Sequence, residues 1–176
     1  MALEVEVKAR INGKLIRDKL SKINLYPVKK EKQVDVYFHH PCRDFKLTDE
    51  AIRVRESEGR FYLTYKGPKI DPDTKSREEI QLQVKGDVFS FLEKLGFVAF
   101  EKIVKERELY QWERLKICLD QVEKLGSFIE IEGKSLDEKG KIFYILNKLG
   151  IPLNSLIRKS YLELKLENTE KGRKNE

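Results

Sequence analysis

Residues Leu3-Glu4-Val5-Glu6-Val7-Lys8-Ala9-Arg10 alternate without a break between apolar and charged side chains. A period of two sends successive side chains to opposite faces, so the segment reads as a strand with one apolar and one charged face. The pattern recurs outward along the chain. Val34, Val36 and Phe38 alternate with Asp35, Tyr37 and His39, and Ile52 and Val54 with Arg53 and Arg55. Leu63 and Tyr65 alternate with Tyr62, Thr64 and Lys66; Ile80, Leu82 and Val84 alternate with Glu79, Gln81 and Gln83, with Arg77 leading in. Lys105 and Arg107 stand two apart within Ile103 to Tyr110. Ile117 and Leu119 alternate with Lys116, Cys118 and Asp120, and Ile129 and Ile131 with Phe128, Glu130 and Glu132. Leu162, Leu164 and Leu166 against Tyr161, Glu163 and Lys165 read as a last strand.

Helical spacing appears between the strands. Leu15, Ile16, Leu20 and Ile23 share one face of a helix over Asn12 to Ile23. Val88, Phe91, Leu92 and Leu95 form a second, stopped at Gly96. Ser135-Leu136-Asp137-Glu138 has capping-box spacing and opens a third, with Ile142, Ile145, Leu146 and Leu149 inward and Gly150 and Pro152 as the stop. Turn signals place loops at Pro41 to Asp49 and Gly67 to Lys75. Amphipathic strands outnumbering helices point to an α+β fold with a largely antiparallel sheet. The spacing of elements favours one domain over residues 1–167, followed by a polar, disordered tail over 168–176.

Composition removes several classes. Hydrophobic residues make up 40% of 176 residues, enough for a core, and charged residues 38%, well above the usual quarter. No apolar run is long enough to span a membrane, and Met1-Ala2-Leu3-Glu4 leads straight into charged sequence without the pattern of a signal peptide. Cys42 and Cys118 form no metal-like pair, which suits reduced thiols in a cytoplasm. The net charge of +6 comes without a basic block, zinc motif or helix-turn-helix pattern, so nucleic acid is not the expected partner.

A solvated sheet face mixes Lys, Glu, Thr, Ser and Asn. Here like charges are grouped: Glu4 with Glu6, Arg53 with Arg55, Lys105 with Arg107, Glu130 with Glu132. Side chains two apart on a strand sit about 7 Å from one another and repel when alike. Repeating that arrangement makes physical sense where the acids share a cation and the bases share a polyanion. Oxygen-only donors with no suitable histidine fit a hard divalent ion such as Mg²⁺ or Mn²⁺. Lys8, Arg53, Arg55, Lys66, Lys105 and Arg107 on polar faces suit phosphate oxygens. Acids for a metal and bases for phosphates are the equipment of phosphoryl or nucleotidyl transfer. No P-loop is present.

These residues resemble a known family. Glu4-x-Glu6-x-Lys8 is similar to the opening motif of the CYTH, or triphosphate tunnel metalloenzyme, superfamily. The resemblance continues in order through Asp35-Val36-Tyr37-Phe38, Thr48 to Arg55, Leu63-Thr64-Tyr65-Lys66-Gly67-Pro68, Ser76-Arg77-Glu78-Glu79, Lys105-x-Arg107, Leu119-Asp120, Leu125 to Glu132 and Ser160-Tyr161. It covers about residues 2–165 and is closest in form to the class IV adenylate cyclase-like branch. It implies a closed antiparallel eight-stranded β-barrel, a tunnel with charges inside and helices packed outside. It implies Glu4, Glu6, Glu130 and Glu132 as metal ligands. It also implies Lys8, Arg53, Arg55, Lys66, Arg77, Lys105 and Arg107 as the triphosphate grip. Glu4, Glu6, Lys8, Lys105 and Arg107 would be nearest the chemistry, with Glu79 and Asp120 as accessory groups. Glu79 is preferred to Glu78 because it shares the face of Arg77. A homodimer is implied by the resemblance alone.

Three functions follow in order. The first is conversion of ATP to cyclic AMP and pyrophosphate. The second is hydrolysis of an inorganic, thiamine or nucleoside triphosphate to release phosphate. The third is non-catalytic binding of a polyphosphate or nucleotide.

Overall fold

The computed structural model describes residues 3–71 and 74–173. Eight strands close into one antiparallel barrel. They are β1 (Leu3–Arg10), β2 (Lys29–His39), β3 (Ala51–Ser57), β4 (Arg60–Lys69), β5 (Arg77–Val84), β6 (Val98–Trp112), β7 (Leu115–Val122) and β8 (Gly126–Gly133). Around the wall the order is β1-β5-β4-β3-β2-β6-β7-β8, and β8 pairs back onto β1. Closure leaves no free edge on the barrel. The helices are α1 (Gly13–Lys22), α2 (Val88–Lys94), α3 (Lys139–Lys148) and α4 (Tyr161–Arg173).

The barrel is charged inside and apolar outside. Val5, Val7 and Ala9 of β1 face outward with Ile117, Leu119, Ile129 and Ile131, under Ile16 and Leu20 of α1 and Ile142, Ile145 and Leu146 of α3. On the far side Val88 and Leu92 of α2 cover Phe38 and Val54. The helices start where the sequence expects. Asn12 Oδ1 accepts from Leu15 N at 3.1 Å, and Asp87 Oδ1 from Ser90 N at 3.0 Å. Ser135 caps a short 3₁₀ turn, Leu136–Glu138, before α3 begins. Gly96 and Gly150 close α2 and α3 at φ +86° and +65°, a left-handed backbone that favours glycine. The cover is incomplete: Ile80 and Leu82 on the outer face of β5 remain exposed.

Two further expectations are corrected. The segment 161–166 is helix α4, not a strand. A closed barrel offers no edge for a ninth strand, and the local sequence supplies a helix start. Ser160 Oγ accepts from Glu163 N at 3.1 Å, while Glu163 Oε2 accepts from Ser160 N at 2.6 Å, a reciprocal capping box. The helix then runs through 168–173, where a disordered tail was expected. Glu and Lys propagate helix well once it has nucleated, and Thr169 Oγ1 bonds back to Lys165 O at 3.0 Å. Residues 174–176 lie outside the described residues.

Candidate active site: a charged bore

Strand register decides which charges meet. Glu6 stands opposite Glu132 and Lys8 opposite Glu130 across the β1–β8 pair, while Glu4 stands opposite Arg77 on β5. Directly opposed side chains start about 5 Å apart at Cβ. The four acids expected to act together therefore occupy two adjacent strands. The barrel order sets β3, with Arg53 and Arg55, across the bore from them. Lys66 stands opposite Glu79, Arg55 opposite Asp35, and Arg107 opposite Asp120. All the expected site residues except Asp120 line one cavity of about 1260 Å³, and Asp120 stands behind that lining, bonded to Arg107.

The bore is built from ion pairs. Lys8, 1% exposed, lies 3.0 Å from Glu130 and 3.4 Å from Glu6. Burial opposes its charge, but Glu130 and Glu6 outweigh that and hold its pKa above the ordinary lysine value. Arg107 donates to Asp120 through Nε at 2.7 Å and Nη2 at 2.6 Å, to Glu132 at 3.2 Å, and also to Glu130. Asp120 accepts as well from Lys105 at 3.3 Å and from the Tyr161 hydroxyl at 2.9 Å. It is thus the hub that aims Arg107 and Lys105. Lys66 pairs with Glu79 and lies 3.8 Å from Glu4. Burial pushes Lys66 and Lys105 below the usual lysine range.

The acids are not equivalent. Burial raises Glu4 and Glu130, yet their lysine and arginine neighbours outweigh it and keep both below the ordinary carboxylate value. Glu132 goes the other way. Burial, then the nearby Glu4, Glu130 and Glu6, together overcome Arg107 and push it up. Among the described residues no three carboxylate, histidine or cysteine groups form a preassembled metal cluster. The expected set is adjacent, and its members are turned toward lysines and arginines: Glu130 to Lys8, Glu4 to Lys66, Glu6 to Lys75 and Glu132 to Arg107.

Several contributors carried no role in the sequence reading. Asp35 accepts from Arg55 at 2.6 and 2.7 Å and lies 3.6 Å from Arg53, holding two cations side by side. Burial raises its pKa, but the arginines drive it far below the ordinary range. Its place on the charged face of β2 was a signal, since a lone acid there lies beside the arginine strand. Lys75, in the loop before β5, reaches to 3.3 Å from Glu6. Thr74 and Ser76 flank it, both buried, and its N–H donates to Glu6 O at 2.8 Å. No periodicity marks it, because it lies outside any strand. Cys118 and Gln33 also line the bore.

Two cationic donors are unsatisfied by protein. Arg53 Nε and Arg77 Nε are buried without a hydrogen-bond partner among the described residues. An orphaned buried guanidinium N–H is costly in a folded chain, and an anion in the bore would satisfy it.

This geometry has counterparts. A family model described as CYTH domain matches residues 2–161. The chain is a CYTH-domain protein. It is 42% identical over 172 residues to MJ0240 of Methanocaldococcus jannaschii, which carries the provisional name adenylate cyclase; the match covers 93% of this chain and 98% of that one. The solved structure of PH1819 from Pyrococcus horikoshii is 44% identical, with a TM-score of 0.84, over 94% of this chain and 99% of its own. PH1012 from the same organism is 28% identical, with a TM-score of 0.80, over 92% and 98%. The CYTH barrel here thus presents its charges to the bore as the alternation requires. No helix among the described residues is long and apolar enough to cross a membrane.

Proposed function

We propose that this CYTH-domain protein converts ATP to cyclic AMP and pyrophosphate inside the bore, with a bound Mg²⁺ or Mn²⁺. The observation that carries the reading is the pair of orphaned arginine donors, Arg53 Nε and Arg77 Nε, within a ring of other buried cations. A nucleoside with no phosphate would leave them unpaired. A triphosphate brings oxygens enough to meet them, with charge-assisted bonds about twice as strong as neutral ones. The adenylate cyclase name of the 42% identical relative supports the choice of reaction.

The donor set fits a hard divalent ion. Glu4, Glu6, Glu130 and Glu132 offer only oxygens, on adjacent strands, and burial first, then its acidic neighbours, push the Glu132 carboxyl up. Those four residues would hold the ion, which when bound supplies Lewis-acid polarisation of the α-phosphate and a more acidic ribose 3′-hydroxyl. The protein's own groups do the rest. Arg53, Arg55 and Arg77 orient the phosphate chain from the walls facing and flanking the acids. The 3′-hydroxyl gives up its proton to solvent water and its oxygen attacks the α-phosphorus in line, forming a new P–O bond as the bond to the β-phosphate oxygen breaks and pyrophosphate leaves. Lys66, Lys105 and Arg107 take up the charge that develops on the departing pyrophosphate. Asp120 keeps Arg107 aimed during that step, through the two bonds described above. No protein nucleophile is needed.

The second reading uses the same cage with water attacking the γ-phosphate, because the cage reads phosphates rather than a base. Incubation with ATP or tripolyphosphate and Mg²⁺ or Mn²⁺, with the products resolved, separates the two. Cyclic AMP with pyrophosphate is the expected outcome. Orthophosphate as the sole product contradicts the cyclase reading and supports hydrolysis. No turnover across pH and temperature contradicts both and leaves a binder.

A further inference from the structure

His39 and Phe100 form an aromatic pair outside the buried apolar clusters. Their rings stack with centroids 3.8 Å apart and planes 18° from parallel. Both are exposed, Phe100 to 36%, and neither belongs to any of the three apolar clusters. An aromatic ring of that size is ordinarily buried.

The backbone is adapted to present it. Along the β2–β6 pair Tyr37 faces Glu101, but Phe38 faces Ala99. The register slips by one residue there and leaves Phe100 as the extra residue. Such an irregularity releases a side chain from strict alternation and re-aims it, and it recurs beside active sites. Phe100 uses that freedom to meet His39, and both rings line the same cavity as the cationic cage.

The placement relative to the cage is set by register. Arg53 lies opposite Tyr37, and His39 is two residues further along β2, about 7 Å away. A ring there lies one pleat beyond Arg53, level with Ala51 of β3 and so with Lys66 across the β3–β4 pair. Apolar side chains of α4, Leu162 and Leu166, line the cavity as well. The one cavity thus offers a flat π surface and apolar side chains as well as the cationic cage.

We infer that the His39–Phe100 stack is the platform for the nucleobase of the triphosphate substrate. This rests on the proposed triphosphate reading and adds to it the part of the site that separates a nucleotide from bare tripolyphosphate. Every base has a π face, so the platform selects nucleotides as a class and discriminates weakly among bases.

Calorimetric titration of α,β-methylene-ATP and of tripolyphosphate, each with Mg²⁺, into wild type, Phe100→Ala and Phe100→Leu tests it. Loss of the ring weakens the ATP analogue by about tenfold in both variants, the size that base–aromatic stacking supports. Tripolyphosphate affinity stays within about twofold, since no phosphate contact is touched. Phe100→Leu keeps apolar bulk, so an unchanged analogue affinity in that variant overturns the stacking role. Equal losses for both ligands, or no loss for either, overturn the inference while leaving the triphosphate reading in place. Failure of wild type to bind tripolyphosphate overturns that reading and the inference with it.

Discussion

Glu4→Gln combined with Glu6→Gln removes metal-dependent turnover, by at least about 10³-fold, while the barrel stays folded. Lewis-acid stabilisation amounts to several kcal/mol, and three orders of magnitude in rate correspond to about 4 kcal/mol. Glutamine keeps the shape and loses the charge, so a divalent ion loses two of the four acids expected to hold it. Lys75 and Lys66 lose acidic neighbours in the same step, since Glu6 lies 3.3 Å from the first and Glu4 3.8 Å from the second. Freed of those partners, the two lysines turn to the ligand. Metal-free binding of tripolyphosphate therefore holds or tightens in the double variant. Initial rates with Mg²⁺ or Mn²⁺, a far-ultraviolet circular dichroism spectrum and a metal-free titration check the three parts. Undiminished turnover in the double variant sinks the metal assignment.

Asp35→Asn lowers stability, and a triphosphate restores more of it than in wild type. The carboxylate holds Arg55 through two bonds and Arg53 at 3.6 Å, in a position only 2% exposed. Asparagine leaves two guanidiniums facing each other without their counter-charge. Breaking a buried pair costs about 3–5 kcal/mol, and the low end applies because the bore admits water. For a chain of this length about 3 kcal/mol lowers Tm by roughly 6–12 °C. The pH sign follows from the folded pKa, which lies far below that of an unfolded aspartate. Its stabilisation is full above the unfolded value and is lost only as pH falls toward the folded one. The difference between wild type and Asp35→Asn is therefore constant through neutral pH and narrows in acid. Thermal melts at several pH values, with and without tripolyphosphate, measure this. An unchanged Tm at neutral pH contradicts the charge-separating role of Asp35.

How much of this was legible beforehand depends on the kind of signal. Period-two alternation exposes the two faces of a strand, so Glu4, Glu6, Lys8, Arg53, Arg55, Lys105, Arg107, Glu130 and Glu132 could be assigned to one side without coordinates. The grouping of like charges then gave a physical reason to turn that side inward. Alternation fails where it coincides with a helix. Leu162, Leu164 and Leu166 satisfy it, yet Ser160 and Glu163 form the box that starts α4. Reading the cap before the period would have corrected the element. Loop residues have no period at all, which hid Lys75. Cross-strand register is invisible too. The pairing of Glu6 with Glu132, the hub at Asp120 and the slip that frees Phe100 all arise from how strands align after closure.

The claim beneath all of this is that the bore reads a triphosphate by its charge. Binding of tripolyphosphate and of adenosine to wild type and Arg53→Ala tests it most directly. Arg53 keeps one bond, to Thr64 Oγ1 at 3.1 Å, and leaves its buried Nε without a partner. A charge-assisted hydrogen bond amounts to about 1.5–3 kcal/mol, so tripolyphosphate should bind wild type and weaken about 10- to 100-fold in the variant. Adenosine, which has no phosphate, should not distinguish the two proteins. Absence of tripolyphosphate binding to wild type, or an equal change for tripolyphosphate and adenosine in Arg53→Ala, would contradict the account.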